Sequence, residues 1–185
     1  MAERRGMEND IERVLFTEEE LKRRVKELGG QLTRDFADKD PVFVGVLKGC
    51  FVFMADLLRS VDMHCTMDFM AVSSYGSGTT TTGAVKINKD LSADIEGRHV
   101  IIVEDILDSG KTLHYLVDLL KSREPNSIEI CTLFDKPERR EVDVHAKYIG
   151  CAIPDAFIVG YGLDYDEKYR NLPFVGVLKP EVYGA

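Results

Sequence analysis

The chain has 185 residues, 44% of them hydrophobic and 30% charged, with a formal net charge of −8. That length and mixture suit one domain with its own core, and the acidic balance argues against a nucleic-acid binder, which needs a basic face. No apolar run approaches the roughly 18 residues of a membrane span, and the N-terminal MAERRGMEND lacks the apolar core of a signal peptide, so a cytoplasmic protein without membrane partners is expected.

Residues 1–10 are polar and read as a flexible N-terminus, with Met7 a candidate for the true start; residues 11–185 then form a single domain. Thr17 and Glu20 have the spacing of a capping box. Leu21, Val25, Leu28, Leu32 and Phe36 follow at helical spacing despite Gly29 and Gly30, and Asp40-Pro41 ends that helix. VFVGVL (42–47) reads as a buried strand, Lys48-Gly49 as a turn, and CFVFMADLLRS (50–60) as a largely buried helix. HCTMDFMAV (64–72) is a second strand. SSYGSGTTTTG (73–83) is rich in Ser, Thr and Gly and predicts a mobile loop, from which AVKIN (84–88) returns as a strand.

HVIIVED (99–105) has the near-continuous apolar run of a strand covered on both faces. Lys111 to Arg123 reads as a helix closed by Pro125, SIEICTLFD (127–135) as a strand, and short strands follow near 146–149, 156–160 and 174–178. Strands alternating with helices predict an α/β domain with a mostly parallel central sheet flanked by helices. Cys50, Cys65, Cys131 and Cys151 lack C-x-x-C spacing and have apolar neighbours, which predicts buried free thiols. His64, His99, His114 and His145 are scattered without ligand spacing.

VIIVEDILDSGKTL (100–113) carries the chemistry. Ligands of open α/β sheets bind beyond the carboxyl ends of the strands, and Glu104 and Asp105 are expected at such an end. Asp108-Ser109-Gly110-Lys111-Thr112 then leads into a helix. Small residues let successive backbone N–H groups converge on one point, and the helix N-terminus adds partial positive charge. The turn therefore suits a phosphate. Capping of the helix by Asp108 or Ser109 is expected as well, but it leaves the acid pair unexplained. Adjacent carboxylates repel each other and lose solvation; they suit a polyhydroxyl group or a divalent metal beside a phosphate. Gly110-Lys111-Thr112 resembles the tail of a Walker A loop, but Asp105 stands where that loop needs Gly. Gly76-x-Gly78 resembles a dinucleotide fingerprint, but Thr81 holds the third Gly position.

VIIVEDILDSGKTL resembles the ribose-phosphate motif of the phosphoribosyltransferases, and LKGCFVFMADL, SSYGSGT, CTLFDKP and IPDAFIVGYGLDYDEKYRNLP make the chain similar to their hypoxanthine branch from about Ile11 to Leu178. The resemblance implies the type I phosphoribosyltransferase fold, with a small hood and a mobile loop. It implies Mg²⁺-dependent transfer of ribose 5-phosphate from phosphoribosyl pyrophosphate to hypoxanthine, and to guanine, giving IMP or GMP and pyrophosphate.

Residue by residue, Asp108, Ser109, Gly110, Lys111 and Thr112 match the 5-phosphate loop. Glu104 and Asp105 match the pair facing the ribose hydroxyls and the metal's water shell, and Asp108 the acid–base partner of the purine imidazole nitrogen. Lys48 and Gly49 match a pyrophosphate loop that often has a cis peptide between its first two residues, Leu47 and Lys48. Ser74 and Tyr75 match the tip of a closing loop. Lys136 matches the purine-reading lysine, Phe157 the stacking platform and Ile158 a backbone contact to the base. Asp164 matches the direct Mg²⁺ ligand and Arg170 a pyrophosphate contact. Asp166 and Glu167 match no role and read as solvated. Asp135 is a departure, since some members carry an apolar residue there. A homodimer or homotetramer is implied. The alternative is a regulator that keeps the fold but binds a purine compound without catalysis; such a protein is expected to carry a DNA-binding appendage or basic face and to lose catalytic side chains, and this sequence has neither sign.

Overall fold

The structure is a computed structural model that describes residues 6–74 and 85–184. A 3-10 turn at Met7–Asp10 leads into β1 (Ile11–Phe16), α1 (Glu18–Phe36), β2 (Val42–Leu47), α2 (Phe51–Leu58), β3 (Thr66–Ser74) and β4 (Val85–Lys89). Then come β5 (His99–Leu107), α3 (Lys111–Lys121), β6 (Ser127–Asp135), β7 (Tyr148–Ala152), β8 (Ile158–Val159), β9 (Val175–Leu178) and α4 (Pro180–Tyr183). Part of the predicted flexible N-terminus is thus ordered. Tyr169 Oη donates to Asp10 at 2.8 Å, and the Lys179 N–H donates to the Asp10 carbonyl at 2.9 Å, tying this segment to the C-terminal region.

The main sheet has six strands in the order β4-β3-β2-β5-β6-β7. All neighbours run parallel except β4, which is antiparallel to β3. Side chains alternate along the central strands, as the pleat requires. Ile101 and Val103 of β5 face the cluster that holds Leu21, Leu28 and Leu32 of α1 and Phe53 and Leu57 of α2. Val100 and Ile102 face the cluster that holds Leu113, Leu116 and Leu120 of α3. Both faces of β5 are therefore dry, which is why its sequence is an apolar run rather than an alternation.

The predicted capping box at the start of α1 is present: the Thr17 hydroxyl accepts from the Glu20 N–H while the Glu20 carboxylate accepts from the Thr17 N–H. Such a cap contributes about 1 kcal/mol. β1, β9 and β8 form a second, antiparallel three-stranded sheet, the hood. Its Ile158, Val175 and Val177 belong to the same apolar cluster as α1 and α2, so the hood is anchored to the core. All four cysteines are free; Cys50 and Cys131 are buried, and burial pushes both thiols up.

Strand order reverses between β2 and β5: β3 lies on the far side of β2, and β6 on the far side of β5. Connections after these two strands therefore diverge, opening a crevice at their carboxyl ends. Lys48-Gly49 leaves one side of it and Asp108-Ser109-Gly110 the other. Of the predicted mobile loop, Ser74 is the last residue of β3, and Tyr75 lies outside the described residues, as do the rest of 75–84.

Candidate active site

A cavity of about 330 Å³ lies in this crevice. Its lining includes Lys48 and Gly49 from the β2 side and Glu104, Asp105, Asp108, Ser109, Gly110 and Thr112 from the β5 side; Asp164 and Arg170 come from the segment between β8 and β9. Ten positions singled out by sequence thus meet in one place. Lys111, Lys136, Phe157 and Ile158 do not line it.

The acid pair sits deeper than its sequence implied. β5 does not stop at Asp105, because Ile106 pairs with Phe134 and Leu107 with Asp135. Asp105 is 7% exposed and accepts from the Ile106 N–H at 2.8 Å. Burial raises the Glu104 carboxyl well above its ordinary range, and the Asp105 charge raises it further. Burial also raises Asp105, against the lowering effect of the Glu104 and Ile106 hydrogen bonds and the Arg170 charge. Each carboxylate disfavours the charge of the other, and a cation opposite them favours both. Gly49 is required beside them: a Cβ there would collide with the Asp105 carboxylate. The peptide joining Leu47 to Lys48 is cis, as the resemblance implies.

The expected side-chain cap of α3 is reduced to one long contact, the Lys111 N–H donating to Ser109 Oγ at 3.5 Å. Gly110 itself holds the N-cap position in the left-handed region, at φ 83°, with no side-chain cap bond. A side chain at Gly110 would be strained by that φ and would also run into Val144. The Asp108 carboxylate is left for other work and accepts from Arg139 Nε at 3.2 Å. Behind the turn, the Arg140 guanidinium binds the carbonyls of Leu107 and Asp108 and pairs with the Asp135 carboxylate. This accounts for Asp135: it anchors the arginine that pins the base of the turn. The Lys111 ammonium turns aside to Glu141, so only its backbone is available to the turn.

The second half of the site stands at the ends of β6 and β7. The Lys136 N–H donates to the Leu107 carbonyl at 3.0 Å, which sets the residue next to the end of β5. Its side chain is buried; Nζ donates to the Ala156 carbonyl at 2.7 Å and lies 3.6 Å from Asp155 Oδ1. Phe157, 39% exposed, stacks on Tyr183 with centroids 4.9 Å apart and meets Tyr165 edge-on at 5.6 Å. Ile158 is buried in β8.

An ionic chain joins the two halves. Arg139 binds Asp108 through Nε and Asp155 through Nη1 at 3.4 Å, and Asp155 in turn approaches Lys136. Sequence reasoning missed Arg139, Arg140 and Asp155. The only available signal was the Arg139-Arg140 doublet after Lys136-Pro137, and no spacing ties it to Asp108. Glu167 is solvated, as expected, but it is not without partners: its carboxylate lies 3.0 Å from Lys48 Nζ and 3.5 Å from Arg170 Nη2.

For a metal, no group of three acidic, histidine or cysteine side chains comes together among the described residues. Asp164 is held by Arg170 Nη2 at 3.0 Å and by the Glu167 N–H at 2.9 Å. One fixed carboxylate, with an acid pair lining the same cavity, fits Mg²⁺, which uses one or two protein carboxylates and fills its shell with water and phosphate oxygens.

The chain matches the family model described as the phosphoribosyl transferase domain over residues 15–166. It is 56% identical over 177 residues to the hypoxanthine-guanine phosphoribosyltransferase of Bacillus subtilis (strain 168), covering 96% of this chain and 98% of that protein. It is 55% identical over 178 residues to the bifunctional protein TilS/HprT of Listeria monocytogenes serotype 4b (strain F2365), where the match takes in 96% of this chain but spans 28% of the longer protein. The crystal structure of a hypoxanthine phosphoribosyltransferase from Staphylococcus aureus superposes with a TM-score of 0.93 at 56% identity, covering 96% of each chain.

Proposed function

The chain belongs to the phosphoribosyl transferase family, and from that premise we propose that it is a purine-salvage enzyme. It transfers ribose 5-phosphate from phosphoribosyl pyrophosphate to hypoxanthine and guanine, releasing pyrophosphate with IMP or GMP. The observation that carries this reading is the single cavity shared by the acid pair, the Asp108-Ser109-Gly110 turn, Lys48-Gly49, Asp164 and Arg170.

The reaction breaks the bond from the ribose anomeric carbon to pyrophosphate and forms one to a purine ring nitrogen. Positive charge develops on the ribose. Backbone N–H groups of 108–112 and the amino end of α3 hold the 5-phosphate, with the Ser109 and Thr112 hydroxyls. Glu104 and Asp105 accept from the ribose hydroxyls and favour the developing cation. Asp108 takes the proton released by the purine imidazole. Lys136 donates to the six-oxo group, Phe157 stacks on the ring, and the Ile158 backbone meets its edge. Lys48, Gly49 and Arg170 receive pyrophosphate. Ser74 and Tyr75 belong to a segment that closes over the site and keeps water from the ribosyl cation. Asp164, Glu104 and Asp105 would hold Mg²⁺, which would neutralise charge on the pyrophosphate oxygens.

We further propose that the enzyme is a cytoplasmic homodimer or homotetramer, acting on small molecules and neither on nucleic acid nor at a membrane. No helix among the described residues is long and apolar enough to cross a membrane. The regulator alternative finds no support in a chain that keeps Lys136, Phe157, Asp164 and Arg170.

The test is turnover of phosphoribosyl pyrophosphate and hypoxanthine with Mg²⁺. Nucleotide should form, excess chelator should stop it, and Asp164→Asn should raise the Mg²⁺ concentration needed for half-maximal rate by about tenfold, the effect of losing roughly 1.4 kcal/mol of metal binding. Full turnover in excess chelator would remove the metal from the account.

A further inference from the structure

The two cations assigned to pyrophosphate already hold an anion. Glu167 Oε2 sits 3.0 Å from Lys48 Nζ, and Oε1 sits 3.5 Å from Arg170 Nη2. The same residue's N–H donates to Asp164 Oδ2 at 2.9 Å, so Glu167 touches all three side chains that surround the leaving group in the reading above.

Its position is not a conformational convenience. Asp166 and Glu167 form a tight turn closed by hydrogen bonds between Tyr165 and Lys168 of 3.0 and 3.2 Å. Both central residues have positive φ, 51° and 63°. Asn and Gly favour such turns, whereas Glu in the left-handed region costs about 1 kcal/mol or more. An acidic side chain is kept where the backbone favours another residue, and it is aimed at two basic ones.

Arg170 carries a second sign. Its Nη1 donates to the Gly162 carbonyl at 2.8 Å and its Nη2 pairs with Asp164 at 3.0 Å, yet its Nε is buried with no partner among the described residues. The guanidinium therefore still has donor capacity, although Glu167 already neutralises part of its charge.

We propose that Glu167 is an internal stand-in for pyrophosphate. It pre-sets Lys48 and Arg170 when the site is empty, yields them to the pyrophosphate group of the substrate, and returns as pyrophosphate departs. This rests on the assignment of Lys48 and Arg170 to pyrophosphate. The Lys48–Glu167 pair is exposed, with both side chains about two-thirds accessible (67% and 64%), so its displacement is easy. An ion pair of this kind is weak, strong enough to order two long side chains and too weak to block a ligand of higher charge. Its effect is to weaken pyrophosphate binding and speed product release.

The test is calorimetric titration with inorganic pyrophosphate at fixed excess Mg²⁺, on the wild type, Glu167→Gln and Asp166→Asn. Asp166 lies next in sequence but pairs with Lys168, at 3.4 Å, so its variant removes the same charge without touching Lys48 or Arg170. Glu167→Gln should bind pyrophosphate about two- to fivefold more tightly, with the gain shrinking at high salt. Asp166→Asn should stay within about 1.5-fold, since a surface substitution away from the contact has little effect. Unchanged or weaker binding by Glu167→Gln would overturn the proposal, as would an equal gain in Asp166→Asn. Failure of the wild type to bind pyrophosphate at all would instead overturn the assignment of Lys48 and Arg170. Thermal unfolding of each variant separates these outcomes from loss of the fold.

Discussion

Asp108→Asn is expected to lower the single-turnover rate of nucleotide formation by about 10²–10⁴-fold, the usual worth of general acid–base catalysis. The substitution keeps the size of the side chain but cannot take a proton from the purine. It leaves helix α3 intact, because Gly110 and not Asp108 occupies the N-cap. It also leaves the backbone N–H groups of the turn, so the Michaelis constant for phosphoribosyl pyrophosphate should move little. Asn can still accept from Arg139, which keeps the neighbouring ionic chain in place. Single-turnover measurement is required because slow product release would hide a loss in the chemical step. A rate within about threefold of wild type, far short of the usual acid–base contribution, would reduce Asp108 to a residue that shapes the turn.

The second large effect concerns the base. Lys136 presents an ammonium group that only donates, fixed by its bond to the Ala156 carbonyl and its approach to Asp155. Hypoxanthine and guanine offer a six-oxo acceptor, whereas adenine offers an amino group that would face the ammonium unpaired. Sites built around such a bond reject the mismatched ligand by about 10⁴-fold or more. Lys136→Ala should lower kcat/KM for both oxopurines by roughly 10- to 10²-fold, the worth of a charge-assisted hydrogen bond. Their advantage over adenine should narrow at the same time. Unchanged kinetics with hypoxanthine would take Lys136 out of the base site.

How far the sequence reached depends on whether each interaction is local. β2 and β6 span the residues expected of them, 42–47 and 127–135, and the α1 stripe from Leu21 to Phe36 is wholly buried. β1 escaped notice because its burial does not alternate and the strand it pairs with, β9, lies at the other end of the chain. The end of β5 was read short because Glu104 and Asp105 look like a boundary, while the ladder to β6 carries on through Leu107. In the candidate site, the turn from Asp108 to Thr112 was legible because one short segment supplies all of it. The polar partners that complete it were not. Arg139 and Asp108 are 31 residues apart, and Lys48 and Glu167 are 119 apart, so only the fold brings them together. The side-chain cap of α3 was a reasonable local expectation, reduced to the long Ser109 contact because Gly110, which has no side chain, holds the N-cap position itself.

The central claim is that this crevice joins a ribose 5-phosphate to an oxopurine. The most direct measurement offers the wild-type protein equal concentrations of hypoxanthine, guanine and adenine with phosphoribosyl pyrophosphate and Mg²⁺, and separates the nucleotides formed. IMP and GMP should accumulate with matching release of pyrophosphate, and AMP should stay at about 10⁻⁴ of their amount or less. Absence of any nucleotide, or AMP in amounts comparable to IMP, would contradict the account.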